Sequence, residues 1–242
     1  MFTSHLEHII TKEHFKEAFS EISATSKGLD EVGFAEFKRD FSANIAELSH
    51  AIISGAYTPE PIKKIEIEKE NSDEKRPIGL SSIKDKLLQR VLYKELNPYF
   101  DKVFSDKSYA YRPDKSTLKA INRVTQYLNE KYHHIVKTDI ENFFESIDHD
   151  ILLQILAYHI SDKRIIRLIS LFVQMGGFKE FNYDPHDLGV HQGDILSPLL
   201  SNIYLDAMDQ YLEKHNVAFV RYADDFVMLF KNENEAKDRL ER

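Results

Sequence analysis

Two adjacent carboxylates, Asp224 and Asp225, lie at the centre of a strongly apolar stretch that runs from Ala218 to Phe230. The Val, Phe, Met and Leu residues on both sides are typical of β-strands, so we expect a β-hairpin with the two acids at its tip. Two like charges in apolar surroundings are tolerated best in a tight turn or beside a cation that compensates them. The alternative is a solvated Asp-Asp turn, which the dipeptide alone favours.

A third acid, Asp139, lies near the end of the strand-like sequence from Ile135 to Ile140. If this strand and the hairpin are neighbours in one sheet, three carboxylates meet at one edge. Such hard oxygen ligands suit Mg²⁺ rather than zinc. Two such ions, about 4 Å apart, can activate an attacking 3′-hydroxyl and stabilise a leaving pyrophosphate, which is nucleotidyl transfer.

The composition is that of a globular protein, with 242 residues, 42% hydrophobic and 30% charged. This length allows one large domain or two small ones with a sizeable core. The chain has no cysteine, which excludes disulfides, thiolate zinc sites and cysteine nucleophiles. No apolar run approaches membrane-spanning length and no signal-peptide pattern is present, so we expect a cytoplasmic protein without membrane association.

The charge is unevenly distributed along the chain. The net charge is −8, yet the segment from Pro61 to Arg123 has 15 Lys and Arg against 10 Asp and Glu. A basic region on an acidic body suits a groove for a phosphate backbone or a triphosphate. A solvated helical surface is the alternative.

Helical and strand patterns are mixed without a regular βαβ alternation, which indicates the α+β class. Strands are predicted at 65–68 and 135–140 and on both sides of the Asp-Asp turn, and a hairpin turn at 71–74. A capping box of Ser82 and Asp85 predicts a helix that Asn97-Pro98 ends. Apolar spacing predicts further helices at about 11–23, 34–55, 116–128, 150–160, 163–175, 197–215 and 233–242, with an irregular section from 176 to 193.

Five motifs in order resemble those of reverse transcriptases of the group II intron lineage. They are Tyr222-Ala223-Asp224-Asp225, the segment Val136–His149 around Asp139, the segment Gly189–Leu205, Arg76–Leu80 and Ser108–Pro113. Any one motif alone would be weak, whereas five in the family's order are specific. The resemblance implies a right-hand polymerase with fingers and a ferredoxin-like palm sheet.

The resemblance implies catalytic roles for Asp139, Asp224 and Asp225. It implies a metal site made by Asp139, Ile140, Asp224 and Asp225, which holds two Mg²⁺ ions, with Mn²⁺ as a substitute.

The resemblance also implies nucleotide-binding residues: Lys69 and Arg76 at the triphosphate, Phe144 as a steric gate that excludes a 2′-hydroxyl, and Gln192 with Gly193 as the floor of the pocket. Solvated charges, a core phenylalanine and a plain loop are the respective alternatives. Arg112 matches a template-facing arginine, and a structural arginine is the alternative there.

Two residues depart from the family pattern. His191 stands where proline is usual and Asp194 where a second glycine is common. We expect the extra carboxylate of Asp194, beside the pocket, to alter nucleotide affinity or substrate preference.

The resemblance implies an N-terminal helical extension at 1–60, fingers at 61–130 and a palm at 131–242. The chain stops in the helix after the Asp-Asp hairpin, so we expect a fragment without the last palm strand and the thumb, which by itself extends primers weakly or not at all. The alternative is that a separate chain supplies the rest.

The implied activity is RNA-directed DNA polymerisation, with an RNA template, a DNA or RNA primer and dNTPs. CRISPR spacer acquisition and intron mobility are the candidate settings, with integrase or maturase domains fused or associated. The alternatives are a non-catalytic polymerase-fold scaffold that binds RNA or a partner, and an RNA-dependent RNA polymerase.

Overall fold

The computed structural model describes residues 1–22, 27–68, 75–179, 182–185 and 188–240. The chain divides into two compact units. The first unit comprises Met1–Pro98 and Phe144–Ser197, and the second comprises Tyr99–Phe143 and Pro198–Arg242. The expected domain boundaries at residues 60 and 130 stay a prediction.

Helices and strands are mixed in an irregular order, which confirms the α+β class. The helices of the described residues are α1 (Leu6–Ile9), α2 (Lys12–Glu21), α3 (Phe34–Arg39), α4 (Phe41–Ser54), α5 (Ile83–Phe100), α6 (Thr117–Asn129), α7 (Phe143–Ser146), α8 (His149–His159), α9 (Lys163–Gln174), α10 (Ser197–Lys214) and α11 (Glu233–Leu240). The strands are β1 (Ile62–Glu68), β2 (Lys75–Leu80), β3 (His134–Thr138), β4 (Gly177–Lys179), β5 (Asn182–Asp184), β6 (Ala218–Tyr222) and β7 (Asp225–Phe230). No helix among these is long and apolar enough to cross a membrane.

The first unit contains a four-stranded sheet in the order β2-β1-β4-β5. β1 and β2 are antiparallel, with Ile65 opposite Ile78. β1 also pairs in parallel with β4, which lies in the section predicted to be irregular. The predicted turn at 71–74 lies outside the described residues.

The predicted helix from Phe34 to Gly55 is two helices, because the backbone leaves helical geometry at Asp40 (φ −114°, ψ 31°). The apolar spacing still runs across the break. Phe34 and Phe41, on either side of it, both contact the ring of Phe19, with centroid distances of 4.1 and 5.0 Å. Shared packing on one ring therefore explains why the sequence pattern looks continuous. Gly55 ends α4 with φ 76°, as predicted.

Helix α5 differs from the prediction at both ends. The Asp85 amide donates to Ser82 Oγ at 3.2 Å, but the Asp85 carboxylate accepts hydrogen bonds from the Tyr57 hydroxyl at 2.5 Å and the Glu60 amide at 3.0 Å. Only half of the capping box therefore forms. The predicted break at Pro98 is wrong, since α5 continues to Phe100, which is buried at helical spacing from Leu96.

The second unit contains a three-stranded antiparallel sheet in the order β3-β7-β6. Its strands alternate between two apolar clusters, so both faces are covered. One cluster joins Phe219, Met228 and Phe230 to residues of α10 and α11. The other joins Val220 and Leu229 to residues of α6. This two-sided packing fixes the register of the strands that carry the acidic residues.

Candidate active site

The strand register brings the three predicted catalytic aspartates to one edge of the second unit's sheet. Thr138, the last residue of β3, lies opposite Phe226 of β7. One residue further towards the same edge, Asp139 follows β3 and Asp225 begins β7. Asp224 precedes Asp225 in the turn of the hairpin. The predicted meeting of the three residues at a sheet edge is thus what the register produces.

The turn of this hairpin is tight. Tyr222 lies opposite Asp225, so Ala223 and Asp224 alone form the loop. Ala223 has φ 58°, in the left-handed region that non-glycine residues rarely adopt. Such a backbone costs roughly 1–2 kcal/mol, so it persists only where surrounding contacts hold it. We name the segment 218–230 the aspartate hairpin.

The aspartate edge suits a hard divalent cation by its chemistry. Asp139 and Asp225 are exposed and Asp224 is half-buried. Lys137 Nζ lies 3.9 Å from Asp225 Oδ1, with both side chains mostly exposed (73% and 64%), and such a pair contributes little. Carboxylate oxygens are the ligands that Mg²⁺ prefers, and Ile140 could add only its main-chain oxygen.

These carboxylates are not gathered into a finished coordination sphere. Among the described residues, no group of three His, Asp or Glu side chains is placed to hold a metal ion. The donor types and their shared edge fit Mg²⁺.

Sequence reasoning missed a buried ion pair beneath this hairpin. The side chains of Arg221 and Asp209 are both 0% exposed and make a bidentate contact. A signal was available, because Asp209 lies four residues after Leu205 and three before Leu212, both of which are buried.

In the first unit, Gln192 and Gly193 belong to a loop that packs against β2. The Gly79 amide donates to the Gln192 carbonyl at 2.8 Å. Gly193 has φ 102°, and a Cβ there would lie 2.8 Å from Ile78 Cγ2 and 2.9 Å from the Gly79 carbonyl oxygen. This position therefore requires glycine. We name the segment 188–196 the glycine loop.

The two departures from the family pattern point into the interior of the first unit. Asp194 is buried and accepts a hydrogen bond from the Ser81 hydroxyl. His191 Nε2 lies 2.6 Å from the Met175 carbonyl oxygen. Burial raises the pKa of Asp194 and lowers the pKa of His191. The extra carboxylate thus holds the glycine loop from within, so any effect on nucleotides would be indirect.

The two adjacent phenylalanines differ in exposure. Phe143 is 4% exposed and its ring lies 6.3 Å from that of Tyr204. Phe144 is half-buried, and its carbonyl accepts a hydrogen bond from the Val190 amide of the glycine loop at 2.7 Å. The core alternative therefore describes Phe143, and Phe144 keeps accessible surface beside that loop.

The basic residues predicted at the triphosphate are Lys69 and Arg76. Lys69 lies outside the described residues. Arg76 is on β2, opposite Ile67 of β1.

Arg112, the predicted template contact, has a side chain that is only 3% exposed. Its guanidinium donates to the Asp101 carboxylate at 2.7 Å and to the Ser105, Ser108 and Asp101 carbonyls. Nearly all its donors are used within its own unit. These contacts favour the structural alternative.

The fold and the aspartate edge define a polymerase of the right-hand type, with elements of fingers and palm. The profile of the reverse transcriptase (RNA-dependent DNA polymerase) family matches residues 67–242, and the chain belongs to this family.

Relatives of known name include intron-encoded proteins. The chain is 31% identical to the group II intron-encoded protein LtrA of Lactococcus lactis subsp. cremoris, over 86% of this chain and 34% of LtrA. It is 27% identical to protein YkfC of Escherichia coli K12, over 92% of this chain and 69% of YkfC. The chain thus spans about a third of LtrA, 34% of its length.

Solved structures share the fold. A partial Cas6-RT-Cas1–Cas2 complex matches with a TM-score of 0.62 and 24% identity, over 96% of this chain and 39% of that chain. Telomerase from Candida albicans, in complex with a fragment of telomeric RNA, matches with a TM-score of 0.58 and 15% identity, over 86% and 44% of the two chains. At these identities the likeness concerns the fold.

Proposed function

We propose that this chain provides the catalytic aspartates of an RNA-directed DNA polymerase, which extends a DNA or RNA primer on an RNA template with dNTPs. One observation carries the proposal: the register of β3 and β7 puts Asp139 and Asp225 at one sheet edge, with Asp224 in the adjoining turn. Membership in the reverse transcriptase family supports the same activity.

In this proposal Asp139, Asp224 and Asp225 hold divalent cations, with Ile140 as a main-chain ligand. Mg²⁺, or Mn²⁺ in its place, supplies charge stabilisation for the attacking hydroxyl and the leaving pyrophosphate. The protein's own part is to keep the three carboxylates at one edge and to hold the primer end and the nucleotide in line.

The nucleotide is proposed to contact residues of the first unit. Gln192 and Gly193 lie on one loop, and Gly193 is exposed, so its backbone is accessible to a substrate. Phe144 has the exposure that a steric gate requires. Lys69 and Arg76 are proposed to meet the triphosphate through charge-assisted hydrogen bonds. Arg112 is left out, because its guanidinium is occupied within the protein.

Two biological settings belong to the proposal: intron mobility, which the intron-encoded relatives support, and CRISPR spacer acquisition, with integrase or maturase partners. The cytoplasmic location expected from the sequence belongs to the same proposal. The genes beside this one would separate the two settings. A group II intron RNA around the gene favours intron mobility, and integrase genes beside a CRISPR array favour spacer acquisition.

Primer extension on poly(rA)/oligo(dT) with dTTP and Mg²⁺ tests the activity. The assay is run on this chain and on the full product of its gene. We expect the full product to extend the primer, and we expect Asp224→Asn to abolish this extension. Asp238→Asn, which changes an exposed acid of the same unit, should leave the extension intact. A folded full-length protein that extends no primer with either metal would contradict the proposal and favour the scaffold alternative.

The choice between dNTPs and rNTPs tests the role of Phe144. We expect Phe144→Val to raise incorporation of rNTPs relative to dNTPs, because a smaller side chain leaves room for the 2′-hydroxyl. Phe143→Val is the matched control, which should lower stability and leave this ratio unchanged. Efficient rNTP incorporation by the unmodified protein would instead favour an RNA-dependent RNA polymerase.

A further inference from the structure

Arg221 immediately precedes the Tyr222-Ala223-Asp224-Asp225 motif and is fully buried. Its guanidinium meets the Asp209 carboxylate of α10 in a fork: Nε lies 2.9 Å from Oδ1, and Nη2 lies 2.6 Å from Oδ2. A buried charge is tolerated when its partner and its other hydrogen bonds are in place. The remaining donors of this arginine are therefore informative.

The third nitrogen of the guanidinium reaches the turn itself. Nη1 donates to the Ala223 carbonyl oxygen at 2.9 Å and to Asn202 Oδ1 at 2.9 Å. Asn202 in turn donates from Nδ2 to the Ala110 carbonyl at 2.9 Å. Ala223 is the residue with φ 58°. One planar group thus connects α10 to the strained peptide of the aspartate hairpin.

The backbone of Arg221 is held as firmly as its side chain. Its amide donates to the Lys107 carbonyl at 2.9 Å, and its carbonyl accepts from the Tyr109 amide at 3.0 Å. These bonds lie on the side of β6 that does not pair with β7. The backbone of Arg221 is therefore fixed. The bidentate contact of its guanidinium with Asp209 then couples the position of α10 to the position of the turn.

We propose that Arg221, held by Asp209 and Asn202, is a positioning residue that fixes the Ala223-Asp224 turn and so keeps Asp224 and Asp225 at the sheet edge for a divalent cation. The cation-binding part rests on the proposed function. Lysine cannot replace this arginine, since it offers a point charge where three directions must be satisfied together.

The experiment compares Arg221→Lys and Asp209→Asn with Asp206→Asn. Asp206 lies on the same helix, and its carboxylate accepts from the Ser105 amide rather than from the hairpin. Amide hydrogen exchange across 218–230, relative to α6, is measured in the metal-free protein. Mn²⁺ affinity is measured by electron paramagnetic resonance, and thermal unfolding gives the stability of each variant.

For Arg221→Lys and Asp209→Asn we expect amide exchange to become faster than in the unmodified protein, and this increase should be larger at Ala223–Asp225 than in α6. We expect Mn²⁺ affinity to fall by about tenfold or more, as for other residues that orient metal ligands. Asp206→Asn should change neither. Should Arg221→Lys not fold, Asn202→Ala tests the same contact more gently, with faster exchange confined to the turn.

Unchanged turn exchange and unchanged Mn²⁺ affinity in Arg221→Lys would overturn the inference. Equal losses in Asp206→Asn at equal stability would do the same, because they would show a general structural role. If Asp224→Asn leaves Mn²⁺ binding intact, the proposed metal site fails instead, and the exchange measurement still decides whether Arg221 holds the turn.

Discussion

The aspartate hairpin and the glycine loop both contain left-handed backbone that must be held in place, and different chemical groups hold it in each. Each has backbone in the left-handed region, at Ala223 in one and at Gly189 and Gly193 in the other. Each also has a buried carboxylate beneath it. Under the hairpin, Asp209 faces the guanidinium of Arg221. Under the loop, Asp194 faces the hydroxyl of Ser81.

The difference lies in the partner of each carboxylate, which is a charged guanidinium under the hairpin and a neutral hydroxyl under the loop. A buried carboxyl can take up a proton and become neutral, and burial already raises the pKa of Asp194. An arginine cannot lose its charge in a protein. In the contact that holds the hairpin, Arg221 stays charged at every pH. In the contact that holds the loop, Asp194 can become neutral by protonation and Ser81 is neutral already. We therefore expect the loss of a partner to lower the free energy of unfolding more under the hairpin than under the loop.

The largest effect is expected for Asp209→Ala. This change leaves the guanidinium of Arg221 buried without its counter-ion, which costs about 3–5 kcal/mol of unfolding free energy. Urea denaturation measures the loss. Asp206→Ala on the same helix removes a carboxylate that is only half-buried and should cost about 1 kcal/mol. Equal losses in the two variants would show that the ion pair contributes no more to the free energy of unfolding than the half-buried carboxylate of Asp206.

The pH dependence of folding should distinguish the first unit. Burial raises the pKa of Asp85, which interacts with Asp194, from 3.8 to about 6. The folded state then binds the proton more tightly than the unfolded state, so stability falls as the pH rises from about 4 to about 6 and levels off above that.

The expected size is about 3 kcal/mol, from 1.36 kcal/mol for each pKa unit. Asp85→Asn should reduce the decline by this amount, which urea denaturation at several pH values would show, while the decline caused by other buried carboxyls such as Asp194 persists in both proteins. Glu7, whose pKa Arg164 lowers to about 2, gives the opposite slope at low pH in both proteins and cancels in the difference. An identical pH profile for the two proteins would contradict the buried carboxyl.

The smallest of the three effects is expected for Gly193→Ala. The new Cβ meets Ile78 and the Gly79 carbonyl, and φ 102° is unfavourable for alanine. The cost should be about 2 kcal/mol. Gly33→Ala is the comparison, because Gly33 has φ −89° and its nearest neighbour is the flexible Lys27 side chain at 3.3 Å. A loss at Gly193 no larger than at Gly33 would remove the argument for an obligatory glycine.

Most elements follow from local sequence, and the failures share a cause. The helices α2, α6, α8 and α9 and the aspartate hairpin lie where periodicity and capping residues predict them. The break at Asp40, the passage of α5 through Pro98 and the strand β4 were not predicted. The first and the last of these involve distant packing partners: both helices beside the break pack on the ring of Phe19, and β4 pairs with β1.

The sequence by itself determined the family motifs, the α+β class and the two acids at a hairpin tip, because turn chemistry and apolar spacing act over a few residues. Only the tertiary structure decided that Thr138 lies opposite Phe226, that Phe143 rather than Phe144 is buried, and that Arg112 is occupied internally. It also decided that Arg221 meets Asp209. Burial of a charge or a ring depends on which distant groups the chain brings beside it, and that information is not local in sequence.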